Sequence, residues 1–197
     1  MKDAYRYLAW IYTPLSKLVF GKKLQEAKTC FLTDFSGKKM LILGGGDGFD
    51  YKPMQKQLQG DFWEISTSML ERAKRNLPTS SLNFHLGKFE SEESYNLILL
   101  PFVLDTLRDD DLEALLFKLN GNLKKGGRIF LSDFFGPKHF HQKIMQKLMI
   151  GFFRLLTSHP RKDLPDYKSY LNPLGFSLIE EKIWSDGWIR AQLWEKT

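Results

Sequence analysis

The sequence predicts an α/β fold: a doubly wound, mostly parallel sheet of seven strands that ends in an antiparallel pair. Three observations carry this. Short apolar runs alternate with helical spacings along most of the chain. A glycine-rich stretch, "LILGGGDGFD", follows the first apolar run directly. The last two apolar stretches, "FSLIEEKIW" and "WIRAQLWEK", are separated only by "SDG", too short a connection for a parallel crossover.

The elements follow in order. Residues 3–30 read as helical, with Ala4, Leu8, Ile11, Leu15, Leu18 and Val19 at helical spacing and Pro14 splitting the stretch in two. "KKMLIL" is a short apolar run before glycines, as a strand covered on both faces requires. "DFWEIS" predicts a second strand, "SMLERAKRNL" a helix, "LNFHL" a third strand and "YNLILL" a fourth. Residues 110–123 read as an amphipathic helix with Asp110 as its N-cap. "GGRIFLSDF" predicts a turn into a fifth strand, and residues 139–157 a long amphipathic helix. Strand and helix thus alternate for five rounds before the closing pair. There is no repeat, low-complexity tract or linker, so one domain over 1–197 is expected, with a helical lid over 1–30 and the core over 38–197.

Composition bounds the function. Of the 197 residues, 43% are hydrophobic and 26% charged, an ordinary balance for a globular chain. No run is long enough to span a bilayer, and "MKDAYRYLAW" lacks the apolar core of a signal peptide. The single cysteine, Cys30, cannot form an internal disulfide and reads as a small helix residue. A cytoplasmic location is the expectation. Net charge is +6, and it is uneven: between Lys138 and Lys162 every charged residue is basic.

The glycines at 44, 46 and 48 do not fit a dinucleotide fingerprint, which needs a glycine where Phe49 stands, nor a P-loop, which needs a Lys-Ser/Thr end. Glycine at a first strand-to-helix turn still marks close approach of backbone to a ligand. Glu64 ends the second strand about 20 residues on, where a carboxylate can hold ribose hydroxyls.

In this order the pieces resemble the class I S-adenosylmethionine (SAM) dependent methyltransferases, from Tyr5 to Lys196. "LILGGGDG" stands for the family's glycine loop, and "WEISTSMLERAKRNL" for its acid and following helix. "FHLGKFE", "YNLILLPFVLDTL", "LKKGGRIFLSDF" and "LNPLGFSLIEEKIW" stand for the third-strand tip, the fourth-strand exit, the turn into the fifth strand and the segment before the last pair. The resemblance implies SAM as cofactor and a small or amphiphilic methyl acceptor. It places Gly44, Gly45, Gly46, Asp47 and Gly48 against the methionine and ribose, and Glu64 on the ribose hydroxyls. Ile65 and Met69 would cover the adenine, Lys88 and Phe89 its other edge, and Leu100, Pro101 and Phe102 the methionyl end.

The chain also departs from the family pattern. Ile42 stands where the first strand usually carries an acid, and Lys88 where the third-strand tip often does. These departures keep open a SAM-binding protein without catalysis. The loop also looks like that of spermidine synthases, but the end of the fourth strand, "YNLILLPF", contains no acid to hold a polyamine.

Methyl transfer needs no triad, and none is visible. Asp105 and Asp133 are candidate catalytic bases, with helix-cap or turn roles as the alternative. His85 reads as packed within its strand, and His139, His141 and His159 lack partners at ligand spacing, so no metal is expected. Tyr7 and Tyr12, from the N-terminal helix, and Phe134, after the fifth strand, are candidate substrate-pocket residues. The helix over 139–157 has an apolar stripe of Phe140, Ile144, Leu148, Phe152 and Leu155, with Met145, Met149 and Leu156 beside it. The stripe suits packing on the core or in a homodimer, or contact with a membrane surface. Nucleic acid fits less well, because no aromatic platform is interleaved with the charges. A monomer or a homodimer is expected.

Overall fold

The computed structural model describes residues 20–157 and 163–196. The elements are α1 (Lys23–Thr29), β1 (Lys39–Leu43), β2 (Gln59–Glu64), α2 (Thr67–Asn76), β3 (Ser81–Leu86) and β4 (Tyr95–Pro101). After these come α3 (Asp109–Gly121), β5 (Leu123–Phe134), α4 (Phe140–Thr157), α5 (Tyr167–Leu171), β6 (Phe176–Trp184) and β7 (Ile189–Lys196). All seven strands join one sheet in the order β3-β2-β1-β4-β5-β7-β6, parallel except for β7, which runs against both of its neighbours. The expected fold class is therefore the observed one.

The apolar runs are strands because both faces of the sheet are covered. Met40 and Ile42 of β1 pack on one side with Phe62, Leu70 and Ala73. Leu41 and Leu43 pack on the other with Leu112, Leu116, Leu119 and Leu171. Period-two alternation thus divides one continuous run between two cores, with α2 on one face and α3 and α5 on the other.

The regular alternation of strand and helix is not borne out. The β1–β2 crossover is a 3-10 segment, Phe49–Gln57, with Pro53 inside it. Proline has no N–H to donate and crowds the preceding turn, which disfavours a long α-helix there. The β3–β4 crossover has no helix at all. Residues 87–94 bury only Phe89 deeply and run as a strap fastened from below: Asn122 Nδ2 donates to the carbonyls of Ser91 and Glu93, both at 2.8 Å, and Lys118 Nζ to that of Phe89.

α3 begins one residue earlier than expected. Arg108 is its N-cap, without a side-chain cap bond, and Asp109, Asp110 and Asp111 fill the first turn. Three carboxylates beside the exposed N–H groups favour that end electrostatically.

The third correction concerns α4. Gln142 is buried, its Oε1 accepts from the N–H groups of Lys138 and His139, and its Nε2 donates to the Ser185 carbonyl at 2.9 Å. Met145, one turn on, packs against the cluster that contains Phe134 and Trp188. That fixes the inward face, and Phe140, Ile144 and Leu148 point outward, 78%, 45% and 62% exposed. These three residues of the stripe do not pack on the core. Phe152, Leu155, Met149 and Leu156, together with the expected N-terminal lid and its Tyr7 and Tyr12, lie outside the residues and side chains described.

Candidate functional site

The strand order reverses direction between β1 and β4, so their carboxyl ends open a crevice where ligands of such sheets bind. The loop Gly44–Gly48 enters it from β1. Gly44 N–H donates to the Trp63 carbonyl at 2.8 Å, which carries the β1–β2 ladder one residue further. A Cβ on Gly44 would stand 2.9 Å from Val103, which follows β4, so loop and β4 exit are in contact across the switch point. A Cβ on Gly45 would collide with the Phe62 ring at 2.5 Å. Gly46 differs: its φ is +64°, and a Cβ there would meet nothing within 4 Å. The backbone therefore presses into the core at one position and faces open space at the next.

Glu64 closes the other side. It is buried at the tip of β2, with Oε2 accepting from Gly46 N–H and Oε1 from Ser66 N–H, both at 3.0 Å. Both carboxylate oxygens are thus held by backbone N–H groups, which fixes the carboxylate between the loop and α2. Ile65 is exposed beside it, and Met69 stands half-buried in the first turn of α2, where its N–H bonds to the capping Ser66 hydroxyl. Asp47 takes the loop-capping role: its Oδ1 accepts from Phe49 N–H, and its carbonyl accepts from Asn76. Ile42 is wholly buried, so no acid reaches the loop from β1.

At the third-strand tip Lys88 is exposed, whereas Phe89 is buried edge-on to Trp63 at 5.7 Å. His85 stacks on Trp63 and bonds Asp61 at 2.7 Å, with its side chain 37% exposed on β3. Leu100 and Pro101 are buried at the end of β4. Phe102 holds a left-handed φ of +54°, with its N–H on the Ser132 carbonyl at 2.7 Å. Such strain in a non-glycine residue persists only where its surroundings enforce it.

Phe102 and Phe134 meet at 5.1 Å, joined by two residues that sequence reasoning missed, Phe20 and Trp188. Together they make an aromatic wall at the carboxyl end of β5. Trp188 Nε1 is buried there without a hydrogen-bond partner among the described residues. α1 flanks this wall: Lys28 pairs with Asp50 at 2.8 Å, and its ammonium lies 5.6 Å from the Phe102 ring centre. Nothing in the sequence pairs residues so far apart.

Asp105 and Asp133, far apart in sequence, are neighbours. Asp133 is wholly buried, with Oδ1 accepting from Phe134 N–H at 2.8 Å. Burial, and then the charge of Asp105, push its carboxyl well above the usual carboxylate range. Burial thus favours the protonated form of Asp133, which works against its serving as a base. Cys30, at the end of α1, is partly buried, and burial raises its thiol to about 12, so it is no nucleophile at neutral pH. No cluster of metal-binding side chains occurs among the described residues.

No protein-family model and no curated protein sequence matches the chain. Solved structures do match. The mitomycin 7-O-methyltransferase MmcR is 19% identical over 88% of this chain and 54% of its own, with a TM-score of 0.68. The chain thus spans about half the length of that enzyme. Magnesium protoporphyrin IX methyltransferase (ChlM) from Synechocystis PCC 6803, solved with SAH, is 18% identical over 89% of this chain and 83% of its own, at 0.65. A TehB-like SAM-dependent methyltransferase from Corynebacterium glutamicum is 16% identical over 98% of both chains, also at 0.65. At such identities the likeness is one of fold: the chain has the Rossmann-like fold of SAM-dependent methyltransferases.

Proposed function

We propose that the protein transfers the methyl group of S-adenosylmethionine to a small or amphiphilic acceptor. The observation that carries this reading is the pairing of the open Gly46 backbone with the buried Glu64 carboxylate across the β1–β2 tips. The pair supplies what a ribosyl methionine needs: close backbone approach on one side and a two-oxygen acceptor on the other. The cradle at Gly46, which a Cβ would fill, fits such a ligand.

SAM, when bound, supplies a methyl carbon already activated by its sulfonium. The chain's own contribution is alignment and exclusion of water, worth ~7–11 kcal/mol in favourable cases. Glu64 holds the ribose end. The backbone at Pro101 and Phe102 takes the methionyl end. The aromatic wall of Phe20, Phe102, Phe134 and Trp188 keeps the acceptor side dry, and Trp188 Nε1, without a partner among the described residues, is a donor that could orient an acceptor oxygen. Asp105, half-buried on the turn after β4, takes the acceptor's proton where one must leave; burial of Asp133 behind it disfavours a second negative charge there.

Calorimetric titration with SAM and with SAH, beside Glu64→Ala, tests the reading. Micromolar binding that the variant loses supports it, and SAH release against an acceptor panel then finds the substrate. No binding of either ligand by the folded native chain overturns it.

A further inference from the structure

We propose that the outward face of α4 docks on an anionic lipid surface. The face is defined by contacts. Gln142 and Met145 occupy the inward side of the helix, bound to the Ser185 carbonyl and packed in the aromatic cluster. The opposite side carries Phe140, Ile144 and Leu148 as an exposed apolar row. Spaced four residues apart, they run about 12 Å along the helix. Lys143 and Lys147, also exposed, border the row on one flank, and exposed Lys138 precedes it.

Charge identifies the occupant. Six of the chain's 29 basic residues fall between Lys138 and Lys162 and none of its acids does, which leaves 23 of each sign elsewhere. The whole net charge of +6 therefore belongs to this one segment. An apolar row with lysines along its flank is the pattern of a helix lying in a lipid interface, its row in the acyl boundary and its lysines among anionic headgroups; the nearest acid, Asp186, is paired with His139 at 3.3 Å. A second copy of the chain is a poor match, because it would bring the same lysines together. A nucleic acid would satisfy the lysines and leave the apolar row against phosphate and water. A spanning helix is not implied: no helix among the described residues is long and apolar enough to cross a membrane. Docking would hold the carboxyl end of β5 about one helix diameter, roughly 10 Å, from the lipid. The inference stands apart from methyl transfer, since it uses no residue assigned to that site.

Sedimentation of the full chain with vesicles tests it. We expect binding to phosphatidylcholine vesicles containing one third phosphatidylglycerol, little binding to phosphatidylcholine alone, and release by salt. Phe140→Ser/Ile144→Ser/Leu148→Ser should abolish binding, and Lys143→Glu/Lys147→Glu should weaken it roughly 25-fold or more. Both variants change exposed side chains, so melting temperature and SAM binding should stay native. The proposal is overturned by no binding to the anionic vesicles, by equal binding to both vesicle types, or by unchanged binding of both variants. A dimer in solution that Ile144→Ser dissociates overturns it in favour of self-association. Duplex DNA binding that survives the triple substitution, without vesicle binding, overturns it in favour of nucleic acid.

Discussion

The Gly46 N–H donates to Glu64 Oε2 at 3.0 Å, so the loop after β1 and the tip of β2 are held together by one charge-assisted bond. The bond orients the Glu64 carboxylate at the tip of β2, beside the crevice. Glu64→Gln keeps the shape but replaces one acceptor oxygen with a donor. A hydrogen bond to a charged group contributes about 1.5–3 kcal/mol. Calorimetry well below the variant's Tm should show SAM affinity falling roughly 10- to 100-fold, and the amide nitrogen set against a backbone N–H should lower the Tm as well. Native affinity in this variant would remove Glu64 from the ribose site.

Two adjacent glycines should respond differently. Gly45→Ala drives a methyl into the Phe62 ring and should cost about 1–3 kcal/mol, a fall in Tm of roughly 3–10 °C. Gly46→Ala meets no neighbour but must hold φ +64°, which costs about 1–2 kcal/mol. Its methyl points into the cradle, so SAM affinity should fall more than its Tm loss implies. Titration of both variants well below their Tm values separates a packing fault from a blocked site.

Much of this was legible in the sequence. β1 and β4 show as continuous apolar runs because both faces are covered, and Glu64 stands out as an acid closing such a run. The parts that were not legible depend on contacts between distant residues. Helical spacing reveals a stripe on α4, but the bond from Gln142 to Ser185, 43 residues away, decides which way it faces. The pairing of Asp105 with Asp133 arises only when β4 and β5 lie side by side. Phe20 and Trp188 come from opposite ends of the chain to complete the wall around Phe134. The strap after β3 carries no periodic signal, because its fastening comes from Asn122 and Lys118 on and after α3.

Asp133 makes stability depend on pH in a definite direction. Burial raises its folded-state pKa above the unfolded value of about 3.9. Between those two values the native state binds the proton and the unfolded state does not, so the contribution is complete below the unfolded value. It is lost as pH rises through the folded one. Asn keeps an oxygen for the Phe134 N–H and cannot ionise. The Tm of Asp133→Asn minus that of the native chain should therefore grow from pH 5 to pH 8, by roughly 3 °C or more. A constant difference would mean that Asp133 is ionised in the folded protein across that range.

Asn122 is the residue on which the β3–β4 strap most depends. Its Nδ2 donates to the Ser91 and Glu93 carbonyls, and its own carbonyl accepts from Tyr95 N–H at 2.8 Å as β4 begins. Asn122→Ala keeps the backbone bond and removes both side-chain bonds, leaving two strap carbonyls to find water. With the residue itself buried, the loss should be about 1–3 kcal/mol. Because no helix supports residues 87–94, the effect should concentrate there: amide exchange of the strap should accelerate, while β1 and β4 keep their protection. Since Phe89 is anchored on the same strap, its packing against Trp63 should loosen in parallel, read as a red-shifted tryptophan emission. Uniform acceleration across the sheet would instead show that Asn122 acts on the global fold and not on the strap.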